Sequence, residues 1–272
     1  MTVRLEAVSF RYPTAGVDAL RDVTLEFAPG GVHLVTGRLG AGCSTLLLAI
    51  AGLAPHVTGG TRLGSVITLG QDPATEEGRG AVAGRVGLLL PTPWTQLSGM
   101  AHTVAEEVAF GPANLGWERE RIRGAVREAL RLVDLEDLAG RDPGTLSGGE
   151  LQRVIFAAVA AMDPDIYLLD EPAMELDPEA AGAMYRFLPA LARRKTVILA
   201  TTDLDRAVLV AGRVVLLDAG HVIDDGDPAS VLGAPRAVEA GATTAVARIA
   251  QRAGAQSPLP LTVPAAVARF AR

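Results

Sequence analysis

One lysine, Lys195, occurs in a chain of 272 residues that carries 25 basic side chains. Any chemistry that needs an ammonium elsewhere has no neighbouring lysine to draw on. Cysteine is as scarce: Cys43 stands alone, which excludes an internal disulfide and suits a reducing compartment. Aromatic residues make up 4% of the chain, so the core must be built from Ala, Val and Leu. No apolar run approaches the ~20 residues that span a bilayer. Met1–Glu6 has none of the apolar core of a secretion signal, so any membrane role is expected to come through partners. Positive charge is not in excess either. A net charge of −6 argues against a general nucleic-acid binder. What is present is a globular composition, 49% hydrophobic and 21% charged, enough for one large domain or a domain with an appendage.

Alternating apolar and polar residues over Val3–Tyr12 and Leu20–Phe27 predict two half-exposed antiparallel strands, with a turn at Pro13–Gly16 between them. A short apolar strand, Val32–Val35, leads into a glycine-rich stretch and then a helix over Leu46–Ala51. Gly59-Gly60 and Gly64 mark loops around a short strand at Val66–Leu69, and Asp72–Gly80 is polar and turn-rich. Arg85–Leu90 reads as a buried strand stopped by Pro91 and Pro93. Leu97–Asp142 changes character. Val104, Val108, Ile122, Val126, Leu130 and Val133 recur at helical spacing, while Glu118, Arg121, Arg123, Arg127 and Arg131 form a solvated outer face. Ser147 with Glu150 three residues on has the capping-box pattern and opens a helix through Ala161. Further on, Ile166–Leu169 and Thr196–Leu199 read as strands and Glu179–Ala192 and Leu204–Ala211 as helices. A hairpin, Val214–Leu217 with His221–Ile223, follows. The last forty or so residues are Ala-rich and interrupted by Pro258, Pro260 and Pro264, a helical appendage. Strands alternating with helices imply an α/β fold with a mainly parallel sheet. Ligands of such sheets sit at the carboxyl ends of strands, and Gly37 and Asp170 both fall there.

Three motifs carry chemistry. The first is Gly37-Arg38-Leu39-Gly40-Ala41-Gly42-Cys43-Ser44-Thr45. Phosphate-binding loops read G-x-x-x-x-G-K-[ST] between a strand and a helix. Gly37, Gly42 and Ser44 fit, but Cys43 stands where the lysine belongs. Backbone N–H groups and a helix N-terminus can hold an anion without any side chain; taken alone, the stretch reads equally as a turn without a ligand. The second is Asp170-Glu171-Pro172 after an apolar strand. Asp170 with Ser44 would hold Mg2+, and Glu171 would polarise an attacking water as general base; the plainer alternative is a pair of helix-capping carboxylates. The third is Leu146-Ser147-Gly148-Gly149-Glu150 at a helix start, a second anion-binding N-terminus or an ordinary cap.

In chain order (the loop, then Leu146–Glu150, then Asp170-Glu171, with Leu176-Asp177 just beyond) the motifs resemble those of the ATP-binding subunit of an ABC transporter. Thr103–Gly116, with Pro93 and Gln96-Leu97 upstream, resembles the energy-coupling-factor ATPases of cobalt and vitamin uptake. The resemblance spans Met1–Leu232, with a helical subdomain at about 97–160, and leaves 233–272 as a C-terminal appendage. It implies a P-loop NTPase (RecA-like) fold with an N-terminal antiparallel β subdomain and a helical insertion. It also implies a head-to-tail dimer that binds ATP and Mg2+ between one chain's loop and the other chain's Leu146–Glu150 signature. Tyr12 takes the place of the aromatic that stacks on adenine. The implied partners are integral membrane transport subunits, with the chain peripheral at the cytoplasmic face of the membrane.

Three positions around the terminal phosphate depart from the family pattern. Cys43 replaces the lysine, Pro91 the glutamine after the Arg85–Leu90 strand, and Thr202 the switch histidine. The chain's own loop is therefore expected to be impaired while the signature that serves another chain is intact. That pattern suggests a heterodimer with a paralogous ATPase. Retained Asp170 and Glu171 motivate the alternative of an active homodimer with unorthodox residues; a non-catalytic regulatory protein of the same fold is the third reading. Arg38 is a poor substitute for the lysine, being early in the loop. Cys43, a thiol at a helix N-terminus, could be acidified into a redox switch, against simple drift.

Overall fold

A computed structural model describes residues 2–270. The elements are, in chain order, β1 (Val3–Arg11), β2 (Leu20–Phe27), β3 (Val32–Gly37), α1 (Cys43–Ile50), β4 (Thr61–Thr68), α2 (Glu76–Val82) and β5 (Val86–Leu89). Next come α3 (Val104–Asn114), α4 (Arg119–Leu132), α5 (Gly148–Ala161), β6 (Ile166–Asp170), α6 (Pro178–Ala192), β7 (Thr196–Ala200) and α7 (Leu204–Ala207). The chain ends with β8 (Arg213–Asp218), β9 (His221–Gly226), α8 (Pro228–Leu232), α9 (Pro235–Glu239), α10 (Ala245–Arg252) and α11 (Val263–Phe270).

The larger sheet has the order β5-β6-β7-β3-β8-β9, parallel except for the β8–β9 hairpin. All residues of β3, β6 and β7 are buried, as strands covered on both faces must be. Their alternate side chains feed two cores. Leu34, Tyr167, Leu169, Val197 and Leu199 pack with α5 and α6; Val35, Ile166, Leu168, Ile198 and Ala200 pack with α1 and the smaller sheet. That smaller sheet is antiparallel, in the order β2-β1-β4. It buries one face only, through Val3, Leu5, Val8, Phe10, Val23, Leu25 and Phe27. In α3 to α5 the predicted apolar stripe is buried except for the half-buried Ile122, and the arginines of α4 face solvent.

Three local expectations are corrected. The strand expected at Val66–Leu69 begins earlier, at Thr61, and contains Gly64. β1 bulges opposite that point, between Glu6 and Ser9. A Cβ on Gly64 would meet the Ala7 and Glu6 carbonyl oxygens at 2.3 and 2.4 Å, so this glycine marks a close backbone approach and not a loop. Asp72–Gly80 is only partly a turn. The Thr75 hydroxyl accepts from Gly78 N and caps α2, a short polar helix without an apolar stripe to announce it. The helix expected at Leu204–Ala211 is a single turn, α7, followed by turns to Val210.

Among the described C-terminal residues the stretch up to Leu261 is packed, whereas α11 buries none of its side chains. Ala237, Ala240, Ala242, Ala247, Leu259 and Leu261 join the same apolar cluster as Val214, Leu216, Val231 and Leu232 of β8 and α8. Small alanine side chains let these short helices lie close to the sheet's edge.

Candidate functional site

Two neighbouring strand ends and one loop build the site. β3 lies between β7 and β8, and its last residue, Gly37, opens the turn into α1. Gly42 is the N-cap of α1 at φ +108, and a Cβ there would meet the Ala19 carbonyl oxygen at 2.5 Å. The turn thus requires glycine. The first N–H groups of α1 have no acceptor within the helix, so the loop offers backbone donors to an anion. On the other side, the β6–β7 register pairs Asp170 with Ala200. Asp170-Glu171 and Thr201-Thr202 therefore emerge level with one another.

Between them lies a cavity of about 680 Å³ lined by Tyr12, all of Gly37–Thr45, Pro91, Asp170, Glu171 and Thr202. Residues separated by some 190 positions in the chain are thus brought to one wall, by the strand order. The Leu146–Glu150 stretch is not part of it. It forms the end of α5, where Ser147 and Glu150 complete a capping box: the Ser147 hydroxyl accepts from Glu150 N, and Glu150 accepts from Ser147 N at 2.8 Å. The Ser147 N–H, and then the Ser147 hydroxyl donating to Glu150 Oε2 at 2.8 Å, hold the Glu150 carboxyl below the usual range.

The electrostatics of the cavity are acidic. Burial, with Glu171 beside it, pushes the Asp170 carboxyl above its ordinary range, while the Ser44 hydroxyl pulls it the other way. Glu171 is fully engaged. Its oxygens accept from Thr201 Oγ1 at 2.7 Å, Thr202 N at 2.8 Å and Thr202 Oγ1 at 2.9 Å. Its backbone sits at φ +46, in the left-handed region, with its N–H bonded to Ala200 O. Thr201 is a hub that the sequence reading missed: its hydroxyl also pairs with the Tyr185 hydroxyl at 3.1 Å and accepts from Asp203 N. The one available signal was position, a second pair of hydroxyl residues at the next strand end.

The three departures are all at the cavity wall or its rim. Burial, then the charges of Asp170 and Glu171, push the Cys43 thiol up to about 12, the reverse of the acidification that a redox switch needs. Pro91 follows β5, and Gln96 is used locally, its side chain bonding Leu88 O at 2.9 Å and Leu90 N at 2.6 Å. Among the lining residues Arg38 carries the only cationic side chain. Its guanidinium points elsewhere: Nε donates to Ala240 O at 2.9 Å, and Nη2 to Glu239 O. Tyr12 donates to or accepts from Thr45 Oγ1 at 3.1 Å, which sets its ring beside the start of α1. Ser44 and Asp170 supply two hard oxygen donors, which suits Mg2+. No cluster of three or more His, Cys, Asp or Glu able to hold a metal occurs among the described residues, so the remaining ligands of such an ion would be phosphate oxygens and water.

The sequence pattern of the ABC transporter family matches residues 20–174. An energy-coupling factor transporter ATP-binding protein, EcfA, of Carboxydothermus hydrogenoformans is 39% identical over 84% of this chain and 81% of its own length. Relatives from Methanosarcina acetivorans and Streptomyces coelicolor, which carry the inferred name ABC transporter ATP-binding protein, are 40% and 38% identical over 85% and 96% of the chain. The chain spans only 37% and 45% of those two proteins. Among solved structures, cbiO1 of Clostridium perfringens, part of the ABC transporter complex cbiONQ, superposes with a TM-score of 0.75 at 26% identity, over 93% of this chain and 98% of that one. A dimeric ATP-binding cassette, MJ0796, in a post-hydrolysis state bound to ADP and Pi, gives 0.74 at 25% identity, over 83% of this chain and 98% of that one.

Proposed function

The chain belongs to the ABC transporter ATP-binding family, and from that premise we propose that it is the degenerate half of a cassette pair in an energy-coupling-factor-type importer. In this reading its Leu146–Glu150 signature completes the ATP site of a paralogous cassette, while its own loop holds nucleotide weakly. The observation that carries the proposal is the wall of its own cavity. The cradle, Ser44 and Asp170 are in place, yet no lysine is present and the single lining cation, Arg38, is bonded away to Glu239 and Ala240.

Magnitudes favour binding over catalysis. A hydrogen bond to a charged group contributes about 1.5–3 kcal/mol, so a missing lysine weakens ATP binding by roughly one to two decades. Backbone N–H groups, the Ser44 hydroxyl and Tyr12 remain. Mg2+, held by Ser44 and Asp170, would neutralise phosphate charge that this acidic wall otherwise repels. Turnover suffers more, because the lysine, the glutamine and the histidine all act where charge develops in phosphoryl transfer. Glu171 retained beside an impaired loop is explained by its bonds to Thr201 and Thr202. It ties the β6 end to the β7 end, a structural task that persists without catalysis.

The names of EcfA and of the cbiONQ complex support membrane transport subunits as the other partners. No helix among the described residues is long and apolar enough to cross a membrane, which fits a peripheral place at the cytoplasmic face. ATP turnover of the assembled complex tests the reading. Ser147→Arg should abolish it and Glu171→Gln should leave most of it. The reverse pattern assigns catalysis to this chain's own site and rejects the proposal.

A further inference from the structure

We propose that Arg38 is a positioning residue that latches the phosphate loop to the C-terminal segment Glu239–Ala245, so that the packing of that segment sets the loop's affinity for nucleotide; this rests on the reading of the cavity as a nucleotide site. The outer arm of the loop has little else to hold it. Leu39 is 100% exposed, and a Cβ placed on Gly40 would find nothing within 4 Å. Within the arm, Ala41 N donates to Arg38 O at 2.9 Å. Further along, Ala41 O accepts from Gly220 N at 3.1 Å and anchors the inner end only.

The acceptors that Arg38 finds are chemically suited and mechanically firm. The last carbonyls of a helix have no donor within it. At the end of α9, Ala237 O and Val238 O are taken by Ala242 N and Gly241 N. Glu239 O and Ala240 O are left, and the fork of Arg38 fills both. Ala240 and Ala242 are 3% and 2% exposed within the main apolar cluster, so the anchor does not move independently of the core. Beyond it, Ala245 N donates to Asp205 Oδ1 at 2.8 Å, on α7, which follows the Thr201–Asp203 wall. The segment thus ties the two walls of the cavity, the phosphate loop and the Thr202 edge, to one another.

Coupling of this kind is reciprocal. If the latch pre-orders the loop, nucleotide must in turn steady the latch. Two partly exposed hydrogen bonds are lost in Arg38→Ala, and nucleotide affinity should fall about three- to tenfold. The experiment uses the full chain with Mg2+ and a fluorescent ATP analogue, together with amide hydrogen exchange with and without nucleotide. The wild type should bind, and nucleotide should slow exchange over residues 239–243. Arg38→Ala should bind more weakly and lose that nucleotide-dependent protection, and Arg38→Lys, which keeps a donor but not the fork, should fall between. Asp205→Ala releases the far end of the segment without touching the loop and should reproduce part of the loss. Equal affinity of wild type and Arg38→Ala overturns the positioning role alone. Absence of binding by the wild type overturns the nucleotide reading, and the positioning role with it.

Discussion

Replacing Cys43 by lysine tests whether one side chain accounts for the weakness expected of the loop. The position is the first residue of α1 and lines the cavity. Burial, and then the charges of Asp170 and Glu171, disfavour a thiolate there and raise the Cys43 pKa. Burial opposes an ammonium as well, but the two carboxylates favour it and the position opens onto the cavity, so Cys43→Lys should be tolerated by the fold. Once ATP is bound, the introduced ammonium gains hydrogen bonds to phosphate oxygens worth about 1.5–3 kcal/mol. Part of this is offset, because in the empty cavity the ammonium will already lean toward Asp170. A net gain of about tenfold or more in affinity is expected, read by calorimetric or fluorescence titration with Mg2+ and ATP. Turnover by the isolated chain should stay near background, because Pro91 and Thr202 are unchanged and groups acting on one transition state do not add. Unaltered affinity refutes the view that the loop is an otherwise complete cradle. Full turnover from this single change refutes the view that the other two losses matter.

Asp170→Asn should raise the thermal stability of the nucleotide-free chain at neutral pH while weakening Mg2+-dependent nucleotide binding. The sign follows from the raised folded pKa: the native state holds this proton more tightly than the unfolded one, so the group's contribution falls as pH rises through the folded value, and the asparagine variant escapes that fall. Glu171→Ala should lower urea stability by about 1–3 kcal/mol, since Thr201 and Thr202 lose their acceptor; Glu171→Gln should cost much less, keeping an acceptor oxygen. At pH 8 iodoacetamide should alkylate Cys43 far more slowly than a free thiol. With the pKa near 12 only about one molecule in ten thousand is thiolate, and alkylation at the free-thiol rate would show that the helix N-terminus dominates after all.

The strand–loop–helix order around Gly37–Thr45, the capping box at Ser147–Glu150 and the buried strand before Asp170 were all legible in the sequence. Each is a local matter: period, punctuation and a cap within a few residues. The same locality explains the misses. Gly64 has the look of loop punctuation, but it sits in a strand because the bulged partner strand approaches its backbone. The helix α2 is polar and held by a Thr75 cap, with no apolar stripe to reveal it.

Sequence alone determined that this is an α/β chain with a mainly parallel sheet, a glycine-rich strand–loop–helix turn without a lysine, and a capped helix start at Ser147–Glu150. Those properties reside in residue types and short spacings. Tertiary structure alone decided what the remaining groups do. Glu171 is occupied by Thr201 and Thr202, 30 and 31 residues away. Arg38 serves carbonyls 201 and 202 residues away. Burial raises Cys43, whereas a helix N-terminus by itself would lower it. Such pairings depend on the strand order β5-β6-β7-β3-β8-β9, which brings distant chain ends level, and on desolvation, which is a property of the packed molecule and not of any stretch within it.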